Sequence, residues 1–199
     1  MIRRPPRSTH CISSAASDVY KRQKLTTGNS QILMAVKSGK CIRFEEGKTR
    51  PMGRNASGVR GVRLKDNNDE VVGMLSVNDM DSDILVVSEN GYGKRSKLDD
   101  YRITNRGGKG VKTISITDKT GNLVSIKNVS DGDDLMIINK SGIAIRMQVE
   151  DLRVMGRATQ GVKVISLKDG DSIAAVAKVM KDNDDIEDIN DIEFTGDAV

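Results

Sequence analysis

The chain has 199 residues, and its 32 Lys and Arg against 28 Asp and Glu give a formal net charge of +4. This length allows one ordinary domain or a short array of repeats, and it excludes a large multidomain enzyme. Aromatic residues make up only 3% of the chain, which argues against aromatic cages and base-stacking platforms. Because no apolar run approaches the roughly 20 residues of a membrane-spanning helix, we expect a soluble, intracellular protein. His10, Cys11 and Cys41 are too few for a Cys/His zinc site or a disulfide framework.

Charge is distributed unevenly along the chain. Residues 1–30 hold six basic groups and one acidic group, and residues 31–181 hold 26 basic and 19 acidic groups. Residues 182–199 hold eight acidic groups and no basic group, which gives this tail a net charge of −8. The sequence therefore combines a basic middle with an acidic tail, an arrangement typical of charge-driven interactions.

The first 23 residues look foreign to the rest of the chain. They show neither the alternation of a strand nor the stripe of a helix, and they contain two of the three prolines. No apolar segment of a secretory signal is present, and Pro5-Pro6 would break the amphipathic helix of a transit peptide. Residues 1–23 resemble translated sequencing-adapter read-through, so we interpret them as an adapter-derived artefact, with a disordered arm as the alternative.

Three copies of one unit follow, related by shifts of 52 and then 51 residues. Internal similarity at a fixed period indicates a repeat architecture. Two columns of glycine and three columns of arginine align, and a basic residue stands two positions after the second glycine column. The columns are Gly39/Gly91/Gly142, Arg43/Arg95/Arg146, Arg50/Arg102/Arg153, Arg54/Arg106/Arg157, Gly58/Gly110/Gly161 and Arg60/Lys112/Lys163.

Each copy is predicted to form four short strands joined by polar turns. The first strand is an apolar run too short for a helix, and a glycine-containing hairpin turn separates it from the second. The expected first, third and fourth strands are Ile32–Val36, Ile84–Val87 and Leu135–Ile138; Val62/Leu64, Ile114/Ile116 and Ile165/Leu167; and Val71–Val77, Leu123–Val129 and Ile173–Val179. We therefore predict an all-β, propeller-like repeat of three four-stranded blades: blade A (31–82), blade B (83–133) and blade C (134–181).

The repeats resemble the C-terminal β-pinwheel domain of the bacterial DNA gyrase A protein over about residues 24–181. The resemblance is clearest in Met52–Leu64, Asn90–Arg95 and Val154–Val162. It implies that these are the last three of the family's six blades, in a fragment of a longer protein. Residues 24–30 would then be the remnant of a preceding blade. Three blades of six cannot close a ring, so we expect an open arc with two unpaired lateral faces.

Repeated basic residues predict a phosphate-binding surface. Arginine stays charged and forms bidentate hydrogen bonds to phosphate, and a loop charge repeated around a propeller becomes a curved basic band. The alternative is that these arginines pair with Asp residues or cover apolar surface with their aliphatic stems. The candidate DNA-binding residues are Arg43, Arg50, Arg54, Arg60, Arg95, Arg102, Arg106, Gly107, Gly108, Lys109, Lys112, Arg146, Arg153, Arg157 and Lys163.

The loop Thr104–Gly110 is the sharpest local motif, because glycines let a backbone approach phosphate while Arg106 and Lys109 supply charge. It resembles the family's seven-residue gyrase-A box at five of seven positions. Thr104 and Asn105 replace its leading Gln and Lys/Arg. The family's functional box lies in a first blade that this chain lacks, so we interpret the loop as a degenerate box that contacts DNA.

No Walker A loop, catalytic triad or metal-ligand cluster is present, so we expect no catalytic residue and no cofactor in this chain. The resemblance implies the DNA-wrapping region of an ATP-dependent type II topoisomerase that introduces negative supercoils. In the parent enzyme a second gyrase A chain and two gyrase B chains would be partners, magnesium a cofactor, and ATP bound on gyrase B. The expected partner of this chain is double-stranded DNA in the bacterial cytoplasm, at the nucleoid. The alternatives are the equivalent domain of topoisomerase IV, which decatenates and relaxes DNA, and a propeller-like module that binds an acidic protein.

Overall fold

The computed structural model describes residues 24–53, 55–168 and 170–180, which form β-strands and two single 3-10 turns. The strands are β1 (Gln31–Val36), β2 (Lys40–Glu45), β3 (Val71–Val77), β4 (Asp83–Ser88), β5 (Tyr92–Lys97), β6 (Val111–Lys112), β7 (Leu123–Val129), β8 (Asp133–Asn139), β9 (Ala144–Gln148), β10 (Val162–Lys163) and β11 (Ile173–Met180). The turns are Glu46–Lys48 and Leu98–Asp100. The predictions for residues 1–23, Arg54 and residues 182–199 lie outside the described residues.

Each repeat begins with an antiparallel hairpin: β1 with β2, β4 with β5, and β8 with β9. The apolar first strand of each hairpin is followed by a turn whose glycine has a positive φ, at +76° in Gly39, +82° in Gly91 and +86° in Gly142. Residues with a Cβ rarely adopt this conformation, which is why the column is glycine. The predicted all-β fold is confirmed.

The sheets do not follow the contiguous repeats. Their strand orders are β3-β1-β2-β6, β10-β5-β4-β7 and β11-β8-β9. The fourth strand of the first two sheets thus comes from the following repeat, with Lys112 opposite Lys40 and Lys163 opposite Tyr92. The prediction of four strands in every blade is wrong for the third sheet. Its three strands have no following repeat to complete them among the described residues.

The third strand also differs from its predicted position. The exchanged strands β6 and β10 lie just before the apolar pairs Ile114/Ile116 and Ile165/Leu167, and residues 55–70 contain no strand. Ile114 and Ile165 instead leave the ladder and are buried, at 0% and 8% exposure, in the cores between neighbouring sheets. These apolar residues therefore fill the space between neighbouring sheets. Their apolar pattern is the same as that of a buried strand, so the sequence alone does not separate the two cases.

Two hydrophobic clusters join the sheets in sequence. One packs Leu33, Ala35 and Val77 of the first sheet against Ile84 and Tyr101 of the second repeat. The other makes the equivalent contact between the second and third repeats. Within the described residues, no helix has the length and apolar character needed to cross a bilayer. The core between the sheets is thus a repeated contact, which we call a joint, and equivalent loops recur from one sheet to the next.

Candidate nucleic-acid interface

The candidate side chains that align with Arg50 and Arg60 lie at the surface. Arg50, Arg102 and Arg153 follow the second strand of a hairpin, Lys112 and Lys163 belong to the exchanged strands, and Arg60 lies in a segment without a strand. Lys109 of the glycine-rich loop is exposed as well. The exposed candidates are Arg50, Arg60, Arg102, Lys109, Lys112, Arg153 and Lys163. These positions are consistent with contacts to an extended anion.

The loop arginines are held by the repeat that precedes them. The Arg106 guanidinium donates from Nε to the Lys48 carbonyl at 2.9 Å and from Nη1 to the Arg60 carbonyl at 3.2 Å. In the next repeat, Nη1 of Arg157 donates to the Lys112 carbonyl at 2.9 Å. Each guanidinium has five N–H donors, so several remain for another acceptor. We call the series Arg60, Arg106, Lys112, Arg157 and Lys163 the basic band.

The glycines of the Thr104–Gly110 loop have different roles. Gly107 N–H donates to the Gly61 carbonyl at 2.6 Å, which ties the loop to the preceding repeat. Gly110 has φ +71°, and a Cβ there would lie 2.6 Å from the Cys41 carbonyl oxygen. At Gly108 a Cβ would have ordinary contacts of 3.5 Å or more. Gly110 is therefore required by packing, whereas the position of Gly108 has room for a Cβ.

A lysine-lined cleft adjoins the basic band, and the repeat pattern does not indicate it. Its volume is about 650 Å³, and its lining combines four lysines (Lys37, Lys40, Lys65 and Lys112) with two carboxylates (Asp66 and Asp69) and several polar and apolar groups. Lys40 lies directly opposite Lys112 in the β2–β6 ladder. Like charges in opposite positions destabilise a sheet unless an anion lies between or near them. Lys37, Lys40 and Lys65 form no column, so the repeats do not predict this cluster, and the β2–β6 register accounts for the position of Lys40 beside Lys112.

The pKa of the buried Lys94 is affected by the positive charges of this band. Its side chain is fully buried and donates from Nζ to the Gly156 carbonyl at 2.8 Å. Burial lowers the pKa of Lys94 to about 8, and although Asp100 opposes the shift, the charges of Arg157 and Lys112 add to it. Two members of the basic band thus act on the same point at the joint between the second and third sheets.

Two residues of the predicted DNA-binding set, Arg43 and Arg95, lie inside the fold. These residues are only 5% and 6% exposed. Nη1 of Arg43 donates to the carbonyls of Leu98 and Tyr101, at 2.8 and 2.9 Å, in the following repeat. These bonds commit the Arg43 guanidinium to carbonyls inside the fold, which favours the structural alternative for this residue, and its contact with DNA stays an untested prediction.

The Arg95 guanidinium repeats that arrangement one joint later. It pairs with the carboxylates of Asp83 and Asp131 and lies 3.5 Å from the Val149 carbonyl oxygen. The third member of the column, Arg146, pairs with Asp134 at 2.6 Å, but its side chain is 56% exposed. The first two members therefore join successive sheets, in agreement with the structural alternative raised by the sequence.

Comparison with known proteins identifies relatives of the repeats. A family model described as "DNA gyrase C-terminal domain, beta-propeller" matches residues 30–78, 82–130 and 133–189. The DNA gyrase A chain of Staphylococcus epidermidis ATCC 12228 is 45% identical over 162 residues, which are 81% of this chain and 18% of that protein. Its equivalent in Staphylococcus aureus MRSA252 is 46% identical over 176 residues, which are 87% of this chain and 20% of that protein. The chain thus spans about a fifth of these relatives.

Solved structures with the same fold are about twice as long as the matched region. The structure of a DNA gyrase A C-terminal domain aligns with a TM-score of 0.70 and 29% identity, covering 76% of this chain and 51% of that one. The C-terminal domain of a DNA topoisomerase IV aligns with a TM-score of 0.72 and 20% identity, covering 81% of this chain and 56% of that one. The second similarity concerns the fold alone.

Proposed function

The chain belongs to the DNA gyrase C-terminal β-propeller family, and from this we propose that its basic band binds double-stranded DNA and bends it along the outer edge of the blades. The observation that carries the proposal is the repeated support of the loop arginines. Arg106 and Arg157 each bond to the carbonyl of a basic residue from the preceding repeat, so the cations of neighbouring repeats stay side by side.

Such a surface suits the DNA backbone better than base edges. Backbone contacts by Arg and Lys release counterions and supply sequence-independent affinity. Continuous cations on a curved edge favour bent DNA, so sequence preference would come from how easily a site bends. Lys40, which the structure places opposite Lys112, adds a further positive charge to this surface.

We further propose that the chain acts within the A chain of a type II topoisomerase of the gyrase kind, where wrapping favours negative supercoils. The DNA gyrase A proteins of the two staphylococci support this assignment. The second A chain, the B chains, magnesium and ATP would act through other parts of that enzyme, in the bacterial cytoplasm at the nucleoid. The described residues hold no cluster of three or more His, Cys, Asp or Glu suited to a metal ion.

The binding proposal is tested by fluorescence anisotropy with a labelled duplex at roughly 50 to 200 mM salt. Arg106→Ala and Arg157→Ala, alone and together with Arg54→Ala, should each weaken binding. Each lost phosphate contact should flatten the slope of log K against log salt by roughly 0.9. Lys97→Ala is the control: it removes an equal charge whose side chain is 59% exposed and pairs with Asp83, away from the band.

Wrapping is tested separately by ligating nicked plasmid in the presence of the protein and measuring the change in linking number. A change that grows with protein concentration and is lost in the triple variant supports wrapping. Unchanged affinity and salt slope in the triple variant would refute the basic band. Binding to an acidic protein with no affinity for DNA would favour the interaction-module alternative.

A further inference from the structure

The joint between the first and second repeats holds a group of lysines that we call the lysine cleft. Lys37, Lys40 and Lys65 of the first repeat line it, and Lys112 of the second repeat completes it. Both walls of the cleft belong to repeats that are present in the chain, and they meet where β6 pairs with β2. The cleft is therefore a feature of an internal joint.

The second joint lacks this group of lysines. The repeat shift of 52 residues aligns three lysines of the cleft with uncharged or acidic residues, and the aligned pairs are Lys37/Glu89, Lys40/Tyr92 and Lys65/Thr117. Only the cation of Lys112 is kept at the second joint, as Lys163. Three of the four lysines thus lie outside the repeated basic band, and the repeat architecture does not require them.

Two lysines of the cleft lie opposite each other in a sheet. Lys40 is the register partner of Lys112, in a ladder where β6 is only two residues long. Like charges at opposite positions destabilise a sheet. An anion held by both ammonium groups would replace this repulsion by two charge-assisted hydrogen bonds.

The protein itself supplies few partners for these cations. Lys37 pairs with Glu70 at 3.4 Å. Within the part of the chain that the structure describes, the ammonium groups of Lys40, Lys65 and Lys112 form no hydrogen bond or ion pair. Three of the four cations are therefore available to a ligand.

The carboxylates of the cleft, in contrast, are held by local donors. Oδ1 of Asp69 accepts the Ser38 N–H at 3.0 Å, and Oδ2 accepts the Ser38 hydroxyl at 2.8 Å and the Lys65 N–H at 3.1 Å. Asp66 accepts the N–H of Asn68 at 3.0 Å. Four lysines against two aspartates leave the lining with a net formal charge of +2. The cleft therefore suits an anion.

We propose that the lysine cleft binds two linked phosphate groups, which bridge the joint from Lys40 and Lys65 to Lys112. Its volume of about 650 Å³ is that of a small-ligand pocket. Two phosphodiesters carry two negative charges, which match the net charge of the lining. Successive phosphates of a DNA strand and a free inorganic polyphosphate present the same chemistry. The inference rests on the proposed function only where DNA is the source.

Calorimetric titration of the 199-residue chain with inorganic triphosphate, at constant ionic strength, tests the site. One triphosphate should bind per chain. Lys40→Gln combined with Lys65→Gln should weaken binding about tenfold or more, because charge-assisted contacts are lost. Lys97→Gln is the control, since this side chain is 59% exposed and pairs with Asp83 in the second sheet. Unchanged affinity in the double variant, or an equal loss in the control, would overturn the proposal.

Thermal unfolding separates a ligand site from a structural role of the lysines. Without triphosphate, Lys40→Gln should unfold at the wild-type temperature or above it, because the variant relieves the repulsion with Lys112. Triphosphate should raise the unfolding temperature of the wild type, since it binds the folded state. It should raise that of Lys40→Gln much less. An equal rise in both proteins would count against the site.

DNA titrations identify the source of the phosphates. If a DNA strand occupies the cleft, a duplex should displace triphosphate, and the double variant should flatten the slope of log K against log salt by roughly 1.8, or two contacts. A wild-type slope, with triphosphate still bound beside DNA, would assign the cleft to free polyphosphate. Triphosphate binding is measured without DNA, so a wild-type chain that fails to bind DNA would refute the proposed function and leave this site standing.

Discussion

Nζ of Lys94 donates to the backbone carbonyl of Gly156 at 2.8 Å, so a fully buried ammonium of the second repeat is held by the third repeat. Oγ1 of Thr159 lies 3.3 Å from the same nitrogen. The equivalent positions of the other repeats are Ile42 and Ile145, which carry no charge. The second repeat thus keeps a cation at a position where its neighbours place carbon.

We expect Lys94→Ile to stabilise the protein near pH 7 by about 2 kcal/mol, because it removes the cost of burying a charge. The folded pKa of Lys94 is lowered from 10.5 to about 8. Between these values the unfolded chain binds the extra proton, so the contribution of Lys94 to the free energy of unfolding rises with pH. The gain from Lys94→Ile should therefore be present below pH 8 and shrink towards pH 10.5. Urea unfolding of both proteins at about pH 7 and about pH 10 measures this, and an equal gain at both values would contradict it.

Arg95→Met should destabilise the protein by roughly 2–4 kcal/mol, because it leaves the buried Asp83 with only its partner Lys97. Arg146→Met, the same change at an exposed member of the column, should cost about 1 kcal/mol. Thermal unfolding compares the two. At temperatures where both variants are folded, neither should change the salt slope of DNA binding. A flattened slope for Arg95→Met would support its place among the DNA contacts.

Much of the fold follows from the sequence, because the longer strands have a local signal. β3 and β7 begin and end at the predicted residues, Val71–Val77 and Leu123–Val129, and a glycine of positive φ stands in each hairpin turn. The exchange of strands between repeats could not be predicted from the sequence. A repeat period shows which residues are equivalent, but it does not show which copy each strand pairs with. That information lies in the contacts between sheets, such as Lys40 with Lys112.

Only part of the candidate site could be predicted from the sequence. Arginines that stabilise the fold and arginines that are candidates for DNA binding are both repeated in every copy, so the repeat does not separate them. Arg43 alternates with the buried Ile42 and Phe44 within a strand, and the residue 12 positions earlier, Gln31, accepts a bond from its Nε. Asp83 and Asp134 occupy the same place relative to Arg95 and Arg146. This coupled spacing is the signal that separates the strand arginines from those of the loops.

Within the Thr104–Gly110 loop, we expect Gly110→Ala to destabilise the fold by more than about 1 kcal/mol, from positive φ and contact with the Cys41 carbonyl. Gly108→Ala should leave stability nearly unchanged, because its Cβ has ordinary contacts. If backbone at Gly108 approaches a phosphate, the same variant should weaken DNA binding about fivefold, the worth of one hydrogen bond. Chemical unfolding and anisotropy of the two variants separate these roles, and wild-type affinity in Gly108→Ala would exclude close approach there.

Deleting residues 182–199 should tighten DNA binding. The segment carries eight acidic groups and no basic group, and a tethered anion competes with DNA at a high effective concentration. The gain should be greatest at about 50 mM salt, where screening is weak, and should fall as salt is added. A control that replaces the eight acids by Asn or Gln separates charge from length. Equal affinity of the full and truncated chains at low salt would exclude this competition.

The exchanged strands also set an order of maturation for the nascent chain. The sheet built on β1, β2 and β3 lacks its last strand until Val111–Lys112 has left the ribosome, and the sheet of β4 and β5 waits in the same way for Val162–Lys163. Synthesis therefore runs ahead of the completion of each sheet. During synthesis, the most recently formed of these two sheets therefore has an unpaired edge strand until the next repeat is translated.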